Sequence, residues 1–143
     1  MKIYLDNCCF NRPFDDQAQL RILLESEAKL RIQENIRLGL YGLVWSYILD
    51  YENNKNPFQE RREQIIKWRG YASEGIEESK ELLDITLKNM KCGIKKLDAL
   101  HLACAVQAKV DYFITADDGI IKKAERIQNI RITDPIGFIK EVV

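Results

Sequence analysis

The stretch Asp111-Tyr112-Phe113-Ile114-Thr115-Ala116-Asp117-Asp118-Gly119 decides the fold. Its apolar, β-prone run ending at Thr115 reads as a buried strand, and the acids and glycine that follow lead into Ile120 to Ile127, which can be helical. Just upstream, Leu97 to Lys109 is rich in alanine and leucine and carries almost no charge after Asp98, so it reads as a helix that lies buried. Downstream, Ile130 to Ile132 reads as the last strand, and Asp134-Pro135 opens a terminal helix. Strands that alternate with helices in this way argue for a mostly parallel sheet covered on both faces.

The N-terminal half repeats the alternation. Lys2 to Leu5 is a short strand stopped by Asp6-Asn7, and Asn11 to Asp16 reads as a loop. From Asp16 to about Arg37, Leu20, Leu23, Leu24, Ala28 and Ile32 recur at helical spacing, giving an amphipathic helix that Asp15 or Asp16 caps. Such a helix could also dock a partner helix or a second copy of the chain. Gly39 to Trp45 is a β-prone segment, and Ser46 is a good N-cap for a helix from Tyr47 to about Glu52. Asn53 to Pro57 breaks that helix and starts another to about Trp68. Ile76 to Met90 reads as one more, ended near Cys92-Gly93.

At 143 residues, 46% of them hydrophobic, the chain suits one α/β domain spanning 1–143. No apolar run approaches the roughly 20 residues of a membrane span, and Asp6 comes too early for a signal peptide's apolar stretch, so a cytoplasmic protein is expected. Cys8, Cys9, Cys92 and Cys104 form no C-x-x-C, which points to reduced thiols. The 22 basic and 22 acidic residues cancel, so net charge gives no sign of a nucleic-acid binder. No G-x-G-x-x-G or P-loop pattern occurs, which disfavours nucleotide binding. Cys8 stands where a haloacid-dehalogenase-like phosphatase would need its second Asp.

Ligands of an open parallel sheet sit beyond the carboxyl ends of its strands, which singles out Asp6 and Asp117. An Asp there also commonly caps the next helix. Asp98 opens an apolar helix on the face the sheet should cover, although the helix dipole alone favours an acid in a first turn. Glu52 lies near a helix C-terminus, where its charge opposes the dipole.

Ile3-Tyr4-Leu5-Asp6-Asn7, Ser46 with Glu52 six positions on, Asp98-Ala99-Leu100-His101-Leu102-Ala103 with Ala105, and Phe113-Ile114-Thr115-Ala116-Asp117 together resemble the PIN-domain family. The length and the Ser-to-Glu spacing resemble the toxin ribonucleases (VapC-like) of type II toxin–antitoxin pairs. The resemblance implies a Rossmann-like sheet of four to five strands and a ribonuclease that uses Mg²⁺ or Mn²⁺ on single-stranded or structured RNA. It also implies a cognate antitoxin and a homodimer. Asp6, Glu52, Asp98 and Asp117 match the family's acids, with Asp118 an alternative for the last of them. Thr115 matches the hydroxyl that supports that acid, Ser46 is a further supporting residue, and Asn7 is expected to orient Asp6 through its amide.

Carboxylates crowded into one pocket repel, and a hard divalent cation removes the conflict, acidifies an attacking water and clamps a phosphate. On this expectation Asp6, Asp98 and Asp117 hold the metal, and Glu52 binds it or orients water. His101 reads as a packed core residue rather than a catalytic base. Arg12 and the Lys95-Lys96 pair are candidates for phosphate contacts. Tyr41, Trp45, Tyr47, Tyr51 and Trp68 could stack on bases, with core packing the safer assignment. The rival reading is a catalytically weak RNA-binding or protein-interaction module.

Overall fold

The computed structural model describes residues 1–127 and 129–142. Its centre is a five-stranded, all-parallel sheet in the order β3-β2-β1-β4-β5, with strands β1 (Lys2–Leu5), β2 (Gly42–Ser46), β3 (Ala72–Ile76), β4 (Tyr112–Ile114) and β5 (Arg131–Thr133). Tyr4 of the central strand is in register with Val44 on one side and Phe113 on the other. Ile3, Tyr4 and Leu5 are fully buried, as a strand covered on both faces requires. Helices α1 (Asn7–Asn11), α2 (Leu20–Arg37), α3 (Tyr47–Asn54), α4 (Gln59–Ile66), α5 (Lys80–Lys91), α6 (Lys96–Gln107), α7 (Asp118–Lys122) and α8 (Pro135–Val142) complete the α/β fold. None of the described helices is long and apolar enough to cross a membrane.

Three elements depart from the sequence reading, in four respects. Strand β3 lies in a stretch to which the sequence reading assigns no element and takes in Ile76, so the helix expected from Ile76 begins at Lys80; Ser73, Glu74 and Gly75 give β3 no apolar run, and an edge strand needs none, since it pairs with β2 on one side. Asn7 to Asn11 forms a short helix because the Asp6 carboxylate accepts from Asn7 N at 2.8 Å and caps it. Helix α2 begins at Leu20, while Asp16 closes a turn onto Ala18 N at 3.0 Å instead of capping a helix.

The fourth departure is a rotation. The face α2 turns inward carries Glu25, Ser26, Lys29, Ile32, Gln33 and Ile36, whereas Leu20, Leu23, Leu24 and Leu30 are exposed. Internal partners make this polar face tolerable: Glu25 meets Arg12 at 3.3 Å and Arg21 at 3.2 Å, and Ser26 Oγ donates to Arg12 O at 2.9 Å. Helix α6 matches the expectation, with Ala99 and His101 to Ala105 buried. Cys9 and Cys104 are buried, Cys8 and Cys92 half-buried, and all four are free thiols.

Candidate metal centre

The carboxyl ends of β1 and β4 lie side by side, which brings together acids far apart in the chain. Asp6 follows β1 and is buried. Its Oδ2 accepts from Thr115 Oγ1 at 2.8 Å, and Thr115 Oγ1 also accepts from Asp117 N at 3.1 Å. Thr115 therefore ties the first acid to the last. Asp117 caps α7 through Gly119 N at 2.7 Å and lines a small cleft with Asp98, Lys95 and Lys123. Asp118 turns away and holds Arg21 through both oxygens, at 2.7 and 2.8 Å, which pulls its pKa down. Asp117, rather than Asp118, thus shares the cleft with Asp98.

Asp98 sits in the first turn of α6 and is half-buried. Burial, then Asp6 and Asp117, push its carboxyl up to about 6, with His101 opposing and Glu52 adding to the rise. Four carboxylates contributed by four separate segments therefore act on one another.

Glu52 enters from α3, and its neighbours were not foreseen. Its Oε1 is hydrogen-bonded to His101 Nε2, while Asn7 Nδ2 donates to its Oε2 at 3.2 Å. The Asn7 amide thus orients Glu52, and it is the Asn7 backbone N–H that meets Asp6. His101 is fully buried, lies 3.8 Å from Asp6, and forms with Asp6 and Glu52 a group whose ligand atoms fall within 4.8 Å of one another. Burial disfavours its charged form, but Glu52, Asp6 and Asp98 outweigh burial and raise its pKa. Its Nδ1 meets Tyr4 Oη at 2.5 Å, and Tyr4 Oη meets Ser46 Oγ at 2.6 Å. Ser46 caps α3 as expected, with its Oγ accepting from Leu49 N at 3.2 Å, and reaches the carboxylates only through Tyr4 and His101. His101 at three residues after Asp98 was the available signal; Tyr4, in an apolar strand, gave none.

Arg12, the candidate for phosphate contact, is engaged within the fold. Its guanidinium meets the buried Glu25 at 3.3 Å and Asp15 at 3.2 Å, because a buried carboxylate needs a nearby cation. Lys95 remains at the cleft beside Asp117, joined by Lys123, whereas Lys96 lines a separate groove with Glu52, Tyr47 and Tyr51. Trp45 and Trp68 are buried, and Trp45 Nε1 donates to Asp50 at 2.9 Å, so neither is free to stack on a base; Tyr51 is exposed.

A divalent cation fits the donors here: among the described residues Asp6, Glu52 and His101 are the group whose ligand atoms lie close enough to share one ion, Asp98 and Asp117 stand outside that group at the neighbouring cleft, and the Asn7 Oδ1 atom is buried with no donor. The fold and site thus define a parallel α/β protein with a carboxylate centre at the carboxyl edge of its sheet.

No family model matches the chain, and no curated protein matches it. Solved structures share its fold. VapBC2 from Rickettsia felis, bound to a DNA fragment from their promoter, is 13% identical over 94% of this chain and 98% of its own, with a TM-score of 0.59. FitAcB from Neisseria gonorrhoeae is 15% identical over 93% and 97%, with a TM-score of 0.60. DNA-bound VapBC from Salmonella typhimurium is 16% identical over 94% and 98%, with a TM-score of 0.55.

These findings correct two expectations. The resemblance to PIN-domain toxin ribonucleases is matched by no family model, and the structures that share the fold are VapBC and FitAcB complexes, two of them carrying DNA. Membership of that toxin family and the role of an RNA-hydrolysing toxin are therefore withdrawn. The likeness is one of fold.

Proposed function

We propose that the chain binds a divalent cation, Mg²⁺ or Mn²⁺, through Asp6, Asp98 and Asp117, and hydrolyses phosphodiester bonds of a nucleic-acid strand. The carrying observation is geometric: Asp6, Glu52 and His101 bring their ligand atoms within 4.8 Å of one another, beside Asp98, whose carboxyl is pushed up by burial and then by Asp6 and Asp117, so the cluster is costly to keep charged unless a cation joins it. Bound there, the ion would supply acidification of a water and neutralisation of charge growing on the phosphate. The chain's own part is to position. Thr115 fixes Asp6, His101 and Asn7 aim Glu52 at an attacking water, and Lys95 and Lys123 at the rim face the strand's phosphates.

The test is end-labelled RNA and end-labelled DNA strands in Mn²⁺ or Mg²⁺, with a chelated control and Asp98→Asn protein. Cleavage of either polymer that both controls abolish supports the reading and names the substrate. Intact polymers together with no Mn²⁺ binding by calorimetry would overturn it.

A protein partner is a second reading, favoured by the outward leucines of α2 and by fold neighbours solved as complexes. Leu20, Leu23 and Leu24 offer one strip of exposed apolar surface at helical spacing, the form that accepts an amphipathic helix of another protein.

A further inference from the structure

Between α2, α4 and the turn Arg12–Phe14 lies a cavity of about 180 Å³ that contains none of the four acids. One wall is a ladder on the inner face of α2: Lys29, Gln33 and Arg37, each one turn from the next. The other walls are mostly apolar, Phe10, Phe14 and Trp68 among them, and Gln64 of α4 adds a polar group. Lys29 and Gln33 are at least nine-tenths buried.

What the lining of this cavity lacks is an anionic acceptor. Among the described residues no carboxylate or carbonyl accepts from Lys29 Nζ, which lies only against aromatic faces, 5.3 Å from the Phe10 ring centre and 6.0 Å from that of Trp68. Gln33 Nε2 is buried with no partner. The nearest acid on the same helix face, Glu25, is taken by Arg12 and Arg21. At the mouth, the Arg37 guanidinium stacks 5.1 Å from the Trp68 ring centre and reaches Glu34 at 3.7 Å. Burial with no counter-charge brings the Lys29 pKa down to about 7, the Cys9 thiol opposing weakly.

Buried donors without acceptors cost free energy that an acceptor would return. A ligand that satisfies Lys29 and Gln33 together must bring a compact anionic acceptor, and aromatic walls select a flat apolar body behind it. We propose that this cavity is a binding site for a small organic carboxylate with a planar apolar body. The carboxylate meets Lys29 and Gln33, and the body packs against Phe14 and Trp68. The site is independent of the metal centre and does not rest on the nuclease reading.

The probe is benzoate, compared with benzamide of the same shape and no charge, titrated into full-length protein and followed by NMR at the Gln33 side-chain amide and the Lys29 ε-methylene. Benzoate should move both signals at millimolar concentration, bind at least tenfold more tightly than benzamide, and lose at least tenfold in affinity in Lys29→Met. Equal binding of the two probes, shifts confined to other residues, or undiminished binding by Lys29→Met overturns the proposal. Should Lys29→Met not fold, Gln33→Leu is held to the same tenfold loss.

Discussion

Thr115 Oγ1 donates to Asp6 Oδ2 at 2.8 Å across 109 residues of sequence, fastening the acid after β1 to the end of β4. Thr115→Val keeps the shape and removes the hydroxyl. It leaves the buried Asp6 short of a donor and Asp117 N short of an acceptor, at a cost of about 1–3 kcal/mol. Mn²⁺ affinity should fall by about 10-fold or more, the usual effect of deleting a residue that orients a ligand. Urea unfolding and calorimetry check both; unchanged Mn²⁺ affinity would detach Thr115 from the metal centre.

Asp98→Asn should move stability in opposite directions with and without metal. The folded carboxyl lies near 6 against 3.8 unfolded, so it binds more protons folded than unfolded between those values. Its contribution is therefore lost as pH rises through about 6, and above that the ionised group destabilises the fold. Discounted for its half-exposed position, that penalty is about 1 kcal/mol. The variant should be more stable than the parent at pH 7.5 in chelator, and should lose most of the parent's stabilisation by Mn²⁺. A metal-free Asp98→Asn protein less stable than the parent sinks the crowding argument.

Lys29 works with the reverse sign. Its folded pKa of about 7 is depressed below the ordinary 10.5, so between these values the unfolded chain holds more protons and stability rises with pH. The slope from this one group approaches about 1.4 kcal/mol per pH unit at its steepest. Denaturation of parent and Lys29→Met at pH 7, 8 and 9 checks it. The variant should show a flatter profile, and parallel profiles would place the Lys29 charge in solvent.

Tyr4→Phe deletes the hydroxyl between Ser46 and His101, both buried. His101 Nδ1 is then left without its partner, which should cost about 1–3 kcal/mol in urea unfolding. A neutral outcome would mean that the His101 ring is not held by Tyr4.

The rotation of α2 separates two substitutions that the sequence reading treats alike. Ile32 is fully buried, so Ile32→Ala should cost about 2–5 kcal/mol. Leu24 is 48% exposed, so Leu24→Glu should stay within about 0.5 kcal/mol of the parent. Comparable losses for the two would restore the leucine stripe to the core.

The parallel sheet was legible because periodicity is local. The buried runs at Lys2 to Leu5 and Tyr112 to Ile114 mark strands covered on both faces, and Asp6 and Asp117 directly after them mark the edge where ligands gather. The capping residue Ser46, the αL glycine Gly93 and the alanine-rich α6 likewise declare themselves within a turn or two. Three-dimensional packing alone decided the rest. Which face of α2 points inward depends on Arg12 and Phe10 arriving from elsewhere to meet Glu25 and Lys29, and amphipathic spacing records no such partners. The same holds for the pairing of Asp118 with Arg21, which leaves Asp117 beside Asp98, and for the diversion of the Asn7 amide and the His101 ring to Glu52. A hydrophobic pattern fixes where a residue lies along its own element; the Arg12 partner of the buried Glu25 is fixed only when distant elements pack, because desolvation makes an unpaired carboxylate costly to leave where the pattern alone would put it.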